Sequence, residues 1–343
     1  MAAPKTLLYQ PHELAFRTQY AELKERTRST TFLLPGTPGT LVKRTGTGRV
    51  YWYRVYQTAG GSQVEDLVGK DDDEEKLLDA RAELDFAQWT ATQVRNLRKL
   101  EFQVGDKGVA SVLVELHNRG LLDPGLVVVG TLSYMAWLNE LGARAVSTRT
   151  QDIDLAARQR LKLAAPRSFL ETMQATRLGF TPVPGMPNDE PPTSVKLKGR
   201  DGLRVDVLTH GARIGQSVPV APLMWHAQTV PHYDYLLEQP RQAAVLAGGH
   251  SIPVLLPRPE RLVWHKLYAS ASRQSFPEKA EKDLLQAVTL AAILTEQEEE
   301  ALGDSFVDVP VAMQRTLRRR LPAIRRALGG HEQAKTAFEL ALS

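Results

Sequence analysis

The stretch STRTQDIDLA, residues 147–156, sets two aspartates one residue apart in a strand-like run. In an extended strand alternate side chains share a face. Asp152 and Asp154 therefore stand together, while Ile153 and Leu155 face the other way. Two carboxylates held side by side repel each other, and a divalent cation would remove that repulsion. The pair is a candidate Mg²⁺ site if the chain elsewhere supplies phosphate contacts and a further carboxylate.

Both occur. Upstream, the apolar strand LVVVG ends at Gly130, and Thr131 opens the helix TLSYMAWLNELG. The free amides of a helix start bind anions, glycine lets a phosphate approach the backbone, and the threonine hydroxyl can bond a phosphate oxygen. Standing alone, a glycine between strand and helix is a weak signal and usually marks only a tight turn. Downstream, LRVDVLTH places Asp206 on the strand face shared with Arg204 and Leu208, opposite Val205 and Val207. Burying such a carboxylate is costly unless it is paired or bound to metal. A salt bridge with an arginine such as Arg204, or simple exposure on an open sheet face, is the competing reading.

A strand, Gly-Thr, a helix, Asp-x-Asp on a second strand and a single aspartate on a later one resemble the nucleotidyltransferase fold of the polymerase-β-like superfamily. The resemblance implies a metal-dependent transfer of a nucleotide from an NTP to an acceptor hydroxyl, with release of pyrophosphate. It also implies two Mg²⁺ ions held by Asp152, Asp154 and Asp206, with Gly130 and Thr131 at the triphosphate. The string Thr150, Asp152, Ile153, Asp154, Leu155 is similar to the T-x-D-I-D-L of bacterial AbiEii-type toxins. In that group a helical lysine and a later aspartate follow, resembling RPERLVWHKLYASASR and EKAEKDLLQA. This closer likeness spans about residues 105–300 and implies a toxin role, an RNA acceptor such as tRNA and an antitoxin protein partner. It departs at Thr131, where the group carries serine; the hydroxyl survives.

Periodicity treats the lysine and aspartate independently of any family. In EKAEKDLLQAVTLAAIL the apolar stripe runs Ala280, Leu284, Ala287, Val288, Ala291, and Asp283 falls inside it. Lys266 follows Leu262 by four on the stripe of RLVWHKL, so its stem packs inward. The two either tie two helices together by a salt bridge or serve the nucleotide, and both can hold at once.

The rest of the chain frames these residues. With 343 residues, 43% hydrophobic, it can bury a sizeable core. Three regions are expected. Residues 1–105 hold a helix around Glu13 to Arg26, a hairpin of two β-rich runs about Ala59-Gly60-Gly61, and a long helix whose acidic start, Asp71 to Glu75, is a solvated helix opening. Residues 106–215 form an α+β core with a small mixed sheet, and residues 216–343 are mostly helical. The absence of cysteine excludes disulfides, thiol catalysis and cysteine-based zinc sites. No apolar stretch is long enough to span a bilayer, and a cytoplasmic location without membrane contact is expected.

Forty-three Lys and Arg against 39 Asp and Glu mildly favour a polyanionic partner. Tyr51, Trp52, Tyr53 and Tyr56, interleaved with Lys43, Arg44, Arg49 and Arg54, can stack bases or simply pack the hairpin. RTLRRRLPAIRRAL concentrates Arg315, Arg318, Arg319, Arg320, Arg325 and Arg326, with Pro322 expected to break or open a helix. His210, His226, His232, His250 and His265 lack metal-ligand spacing and read as ordinary histidines. A nucleotidyltransferase-like fold that binds RNA without catalysis, or acts as an antitoxin-like interaction module, is the alternative function.

Overall fold

A computed structural model gives the fold over residues 7–46, 48–122, 125–146, 150–158, 161, 163, 165–185, 190–273, 275–297 and 301–343. The first three residues of STRTQDIDLA and part of the Pro-rich loop after Thr181 lie outside the described residues. The chain opens with β1 (Tyr9–Pro11) and α1 (Leu14–Arg28), then a three-stranded antiparallel sheet of β2 (Thr40–Gly46), β3 (Arg49–Gln57) and β4 (Gln63–Lys70). The sequence suggests two strands here. The run LVKRTGTGRVYWYRVYQ folds back between Gly46 and Arg49, so it makes two strands by itself.

The long helix is α2 (Glu74–Lys99). Asp73 caps it by accepting from the Lys76 amide, with Glu74 and Glu75 in the first turn and Arg98 and Lys99 in the last. The acidic run is thus a helix opening. The hairpin side chains also have structural work. Buried Arg54 donates to the carbonyls of Pro35, Thr37 and Pro38, and its guanidinium lies over Tyr56. The indole N–H of Trp52 donates to Asp71 at 2.8 Å.

The second part contains α3 (Lys107–Asn118), β5 (Val127–Val129), α4 (Gly130–Glu140), β6 (Ala143–Ala145), β7 (Asp152–Ala157), α5 (Phe169–Ala175), β8 (Thr181–Pro182), β9 (Ser194–Lys196) and β10 (Arg204–His210). It continues through β11 (Ser217–Val220), β12 (Trp225–Val230), α6 (Tyr233–Leu236), β13 (Arg241–Ala247) and β14 (His250–Leu256). These strands form a mixed sheet in the order β11-β12-β10-β7-β5-β14-β13, with β9 on β10 and β8 on β9. The fold is α+β, as the sequence indicates, and the sheet runs on past residue 215. The apolar runs flanking Gly248-Gly249 pair as a tight hairpin, and both glycines have the positive φ, 53° and 99°, that such a turn requires.

Ile153, Leu155, Val205 and Val207 are fully buried, with Ile153 paired to Val205 and Leu155 to Val207 across β7 and β10. That apolar face fixes the strand register, because a slip of one residue would turn the aspartates into the core.

Helices follow: α7 (Pro259–Ser272), α8 (Pro277–Gln297), α9 (Ala301–Asp304), α10 (Val311–Leu328) and α11 (Glu332–Leu342). Pro322 does not break or open a helix as expected, for it lies inside α10. Met313, Leu317, Ile324 and Leu328 bury one stripe of α10 on both sides of the proline, which holds the helix together although the proline can donate no backbone hydrogen bond. His331, the residue before α11, accepts from the Leu8 amide at Nε2 (3.0 Å) and bonds Glu296 of α8 through Nδ1 at 2.8 Å. Among the described residues no helix is long and apolar enough to cross a membrane.

Trp264 of α7 is fully buried. It packs edge-on to Phe338 at 5.2 Å and tilted to Phe306 at 4.9 Å, and it donates from Nε1 to Ser305. Trp264→Ala is expected to cost roughly 3–5 kcal/mol, read from urea unfolding.

Candidate active site

β7 and β10 run parallel, and their register sets Asp154 beside Asp206 and Asp152 beside Arg204. Neighbouring strands lie about 4.8 Å apart, so all four side chains share one patch of one sheet face. The burial of Asp154, then the charges of Asp206 and Asp152, push its carboxyl up to about 6, and Lys266 and Arg273 offset part of that rise. Burial also raises Asp206, against the pull of Arg204. Arg204 donates from Nε to Oδ1 of Asp206 at 2.8 Å and from Nη2 to Oγ of Ser194 at 2.9 Å. The salt bridge that competed with the metal reading is therefore present.

Gly130 closes one side of this patch. β5 ends at Val129, opposite Asp154, and Gly130 turns into α4 with φ +68°. A Cβ at this position would overlap Oδ2 of Asp154. Glycine is required twice over, by backbone conformation and by the carboxylate against it. The start of α4 has no side-chain cap, and Thr131 in its first turn is partly exposed.

α7 and α8 bring further charges within reach of the patch. Lys266 and Asp283 are both buried, with Nζ 3.1 Å from Oδ1, and Arg273 reaches Oδ2 of Asp283 at 2.5 Å. Burial would raise Asp283, but Lys266 and Arg273 hold it below the ordinary carboxylate range. The expected salt bridge between the two helices exists. It lies within the electrostatic reach of the sheet carboxylates, since Asp154 feels both Lys266 and Arg273. The six predicted residues Gly130, Asp152, Asp154, Asp206, Lys266 and Asp283 thus meet in one place, with Thr131 next in the chain after Gly130.

Several groups there were not singled out from the sequence. Arg273 contacts Asp283. Lys282 is lowered by burial and then by Lys266, with Asp283, Asp152 and Asp154 acting in the opposite direction. Buried Tyr233 is raised by burial and then by Asp154, Asp283 and Asp206 acting against Arg273. The adjacency of Lys282 to Asp283 was the available signal. Three of the histidines have protein partners: His210 meets Asp234 at 3.0 Å, His250 bonds the Leu34 carbonyl, and burial lowers His265 to about 4 as it packs edge-on to Tyr233.

Residues 107–309 match a family model described as nucleotidyltransferase. The chain belongs to that nucleotidyltransferase family. The matched span contains every residue of the patch and leaves out the three-stranded sheet, α10 and α11. No curated protein and no solved structure matches the chain.

The donors of this nucleotidyltransferase fit a divalent cation: hard carboxylate oxygens on adjacent strands, with mutual repulsion that already raises Asp154. Among the described residues no three His, Asp or Glu side chains are already drawn together as a metal cluster. Asp206 is instead turned to Arg204.

Because the pKa of Asp154 is raised by folding, its ionisation disfavours the native state above pH 6, and the penalty fades as pH falls toward 4. Asp154→Asn is expected to raise the melting temperature at pH 7 by roughly 2–5 °C, with the gain gone at pH 4, in melts followed across pH. Gly130→Ala should do the opposite at pH 7, lowering the melting temperature by several degrees.

Proposed function

We propose that this nucleotidyltransferase moves a nucleotide from an NTP to an acceptor hydroxyl, with Asp152, Asp154 and Asp206 holding two Mg²⁺ ions. The observation that carries the reading is the meeting of three strand aspartates with Gly130 and the buried Lys266–Asp283 pair. A site built to bind metal alone needs no lysine or arginine beside the carboxylates. One that also takes a triphosphate does.

The uncapped start of α4, with Gly130 and Thr131, takes phosphate oxygens. Lys266 reaches the polyphosphate, and Asp283 fixes the orientation of its ammonium. The acceptor oxygen attacks the α-phosphorus in line, forming a P–O bond as the bond to the β-phosphate breaks and pyrophosphate leaves. Asp206, raised by burial and so more basic, takes the acceptor proton. Bound divalent cations supply neutralisation of phosphate charge and acidification of the acceptor hydroxyl. In incubations with each radiolabelled NTP, Asp152→Asn is expected to abolish transfer of label while keeping the melting profile of a folded protein. Transfer that survives in EDTA, or in Asp152→Asn, would overturn the metal reading.

RNA is the acceptor we favour, and α10 supports it. Arg315, Arg318, Arg319, Arg325 and Arg326 are exposed, and of these only Arg325 has an ion pair among the described residues, with Glu339. The likeness of Thr150 to Leu155 to AbiEii-type toxins supports tRNA as that RNA, a toxin role and control by an antitoxin. Affinity for total RNA should fall linearly with salt on a log-log plot. Replacing three of these arginines with alanine should lower the slope by about one unit for each phosphate that an arginine no longer neutralises. Label found only in protein or a small molecule would overturn the RNA assignment alone.

A further inference from the structure

Arg204 lies among the aspartates proposed to hold metal. It is paired in register with Asp152, stands two residues before Asp206 on the same strand face, and bonds Asp206 and Ser194 through separate nitrogens. Ser194 is buried and comes from β9, the strand paired to this end of β10. It stands opposite Asp206 in the register of the two strands. We infer that Arg204 is a positioning residue that competes with the divalent cation for Asp206, so that this site takes up metal tightly only together with nucleotide. The inference rests on the metal-site reading above.

The charges within electrostatic reach of one another argue for it. Four carboxylates, Asp152, Asp154, Asp206 and Asp283, feel four cations, Arg204, Lys266, Arg273 and Lys282. The cluster is balanced by its own side chains. A divalent cation arriving alone adds uncompensated positive charge to a partly buried site, next to a guanidinium. It must also take an oxygen of Asp206 from a charge-assisted hydrogen bond. A metal arriving with a triphosphate brings the compensating negative charge with it, and the released guanidinium has phosphate oxygens to bond. Arg204 thus lowers affinity for the bare ion and leaves affinity for the ion–nucleotide pair largely intact.

Mn²⁺ binding tests this without turnover. Free Mn²⁺ is titrated by electron paramagnetic resonance against the full chain, alone and with each α,β-methylene NTP analogue. Wild type is expected to bind Mn²⁺ weakly alone and at least about tenfold more tightly with the accepted analogue. Arg204→Gln should bind Mn²⁺ alone roughly tenfold more tightly than wild type, with a smaller further gain from nucleotide. Arg204→Lys, which keeps the charge, should stay within about threefold of wild type. Ser194→Ala removes the hydroxyl that holds Nη2 of Arg204 beside Asp206 without changing charge, and is expected to tighten Mn²⁺ by roughly two- to threefold; it carries the test if Arg204→Gln does not fold. Equal or weaker Mn²⁺ binding in the variants overturns the role of Arg204 and leaves the metal site standing. Binding that Asp154→Asn does not reduce, or no binding by any protein with or without nucleotide, overturns the metal-site reading and this inference with it.

Discussion

The repulsion between Asp154 and Asp206, held side by side on parallel strands, is the constraint around which this fold is arranged. Neither carboxylate can move away. The valines, isoleucine and leucine on the opposite face pin the register of β7 and β10, so the apolar core holds the charges in place. Everything near the pair responds to it. The chain beside Asp154 has no side chain, and β9, paired to β10, sets Ser194 opposite Asp206. α7, the residue that ends it and α8 bring Lys266, Arg273 and Lys282 within electrostatic reach of the same carboxylates.

A buried pair such as Lys266 and Asp283 is weak evidence of stabilisation, since desolvating two charges cancels most of their attraction. Its position says more than its energy. Asp283 holds Lys266 and Arg273 at once, and a carboxylate held below its ordinary range by two cations is a fixed anchor for both. The helices can therefore present cations to an anionic ligand without those cations collapsing onto the sheet aspartates.

Much of this was legible in the chain, for a physical reason. Period-two spacing decides which side chains share a strand face, so Asp152 with Asp154 and Arg204 with Asp206 follow from the sequence alone. Period-3.6 spacing decides which face of a helix is buried, and a lysine and an aspartate inside apolar stripes announced that they meet something. What spacing does not carry is choice of partner. Arg204 turns to Asp206 because a serine from another strand, ten residues earlier, holds its other nitrogen. Arg273 sits at the end of α7, where charge is common and singles nothing out. The β13–β14 hairpin and the helix that runs through Pro322 depend on burial contributed by distant segments, the sheet in one case and α7, α8 and α11 in the other.

His331 bears on how this structure comes apart. One imidazole is bonded at both nitrogens, to the backbone just before β1 and to the helix that carries Asp283, and it also stands at the threshold of α11. Segments more than three hundred residues apart in the chain are thereby fastened at a single ring. The first strand cannot peel away without exposing a buried ring nitrogen, and α11 cannot unwind without dragging on α8. Opening at the periphery is thereby coupled, through one ring, to the helix that carries Asp283.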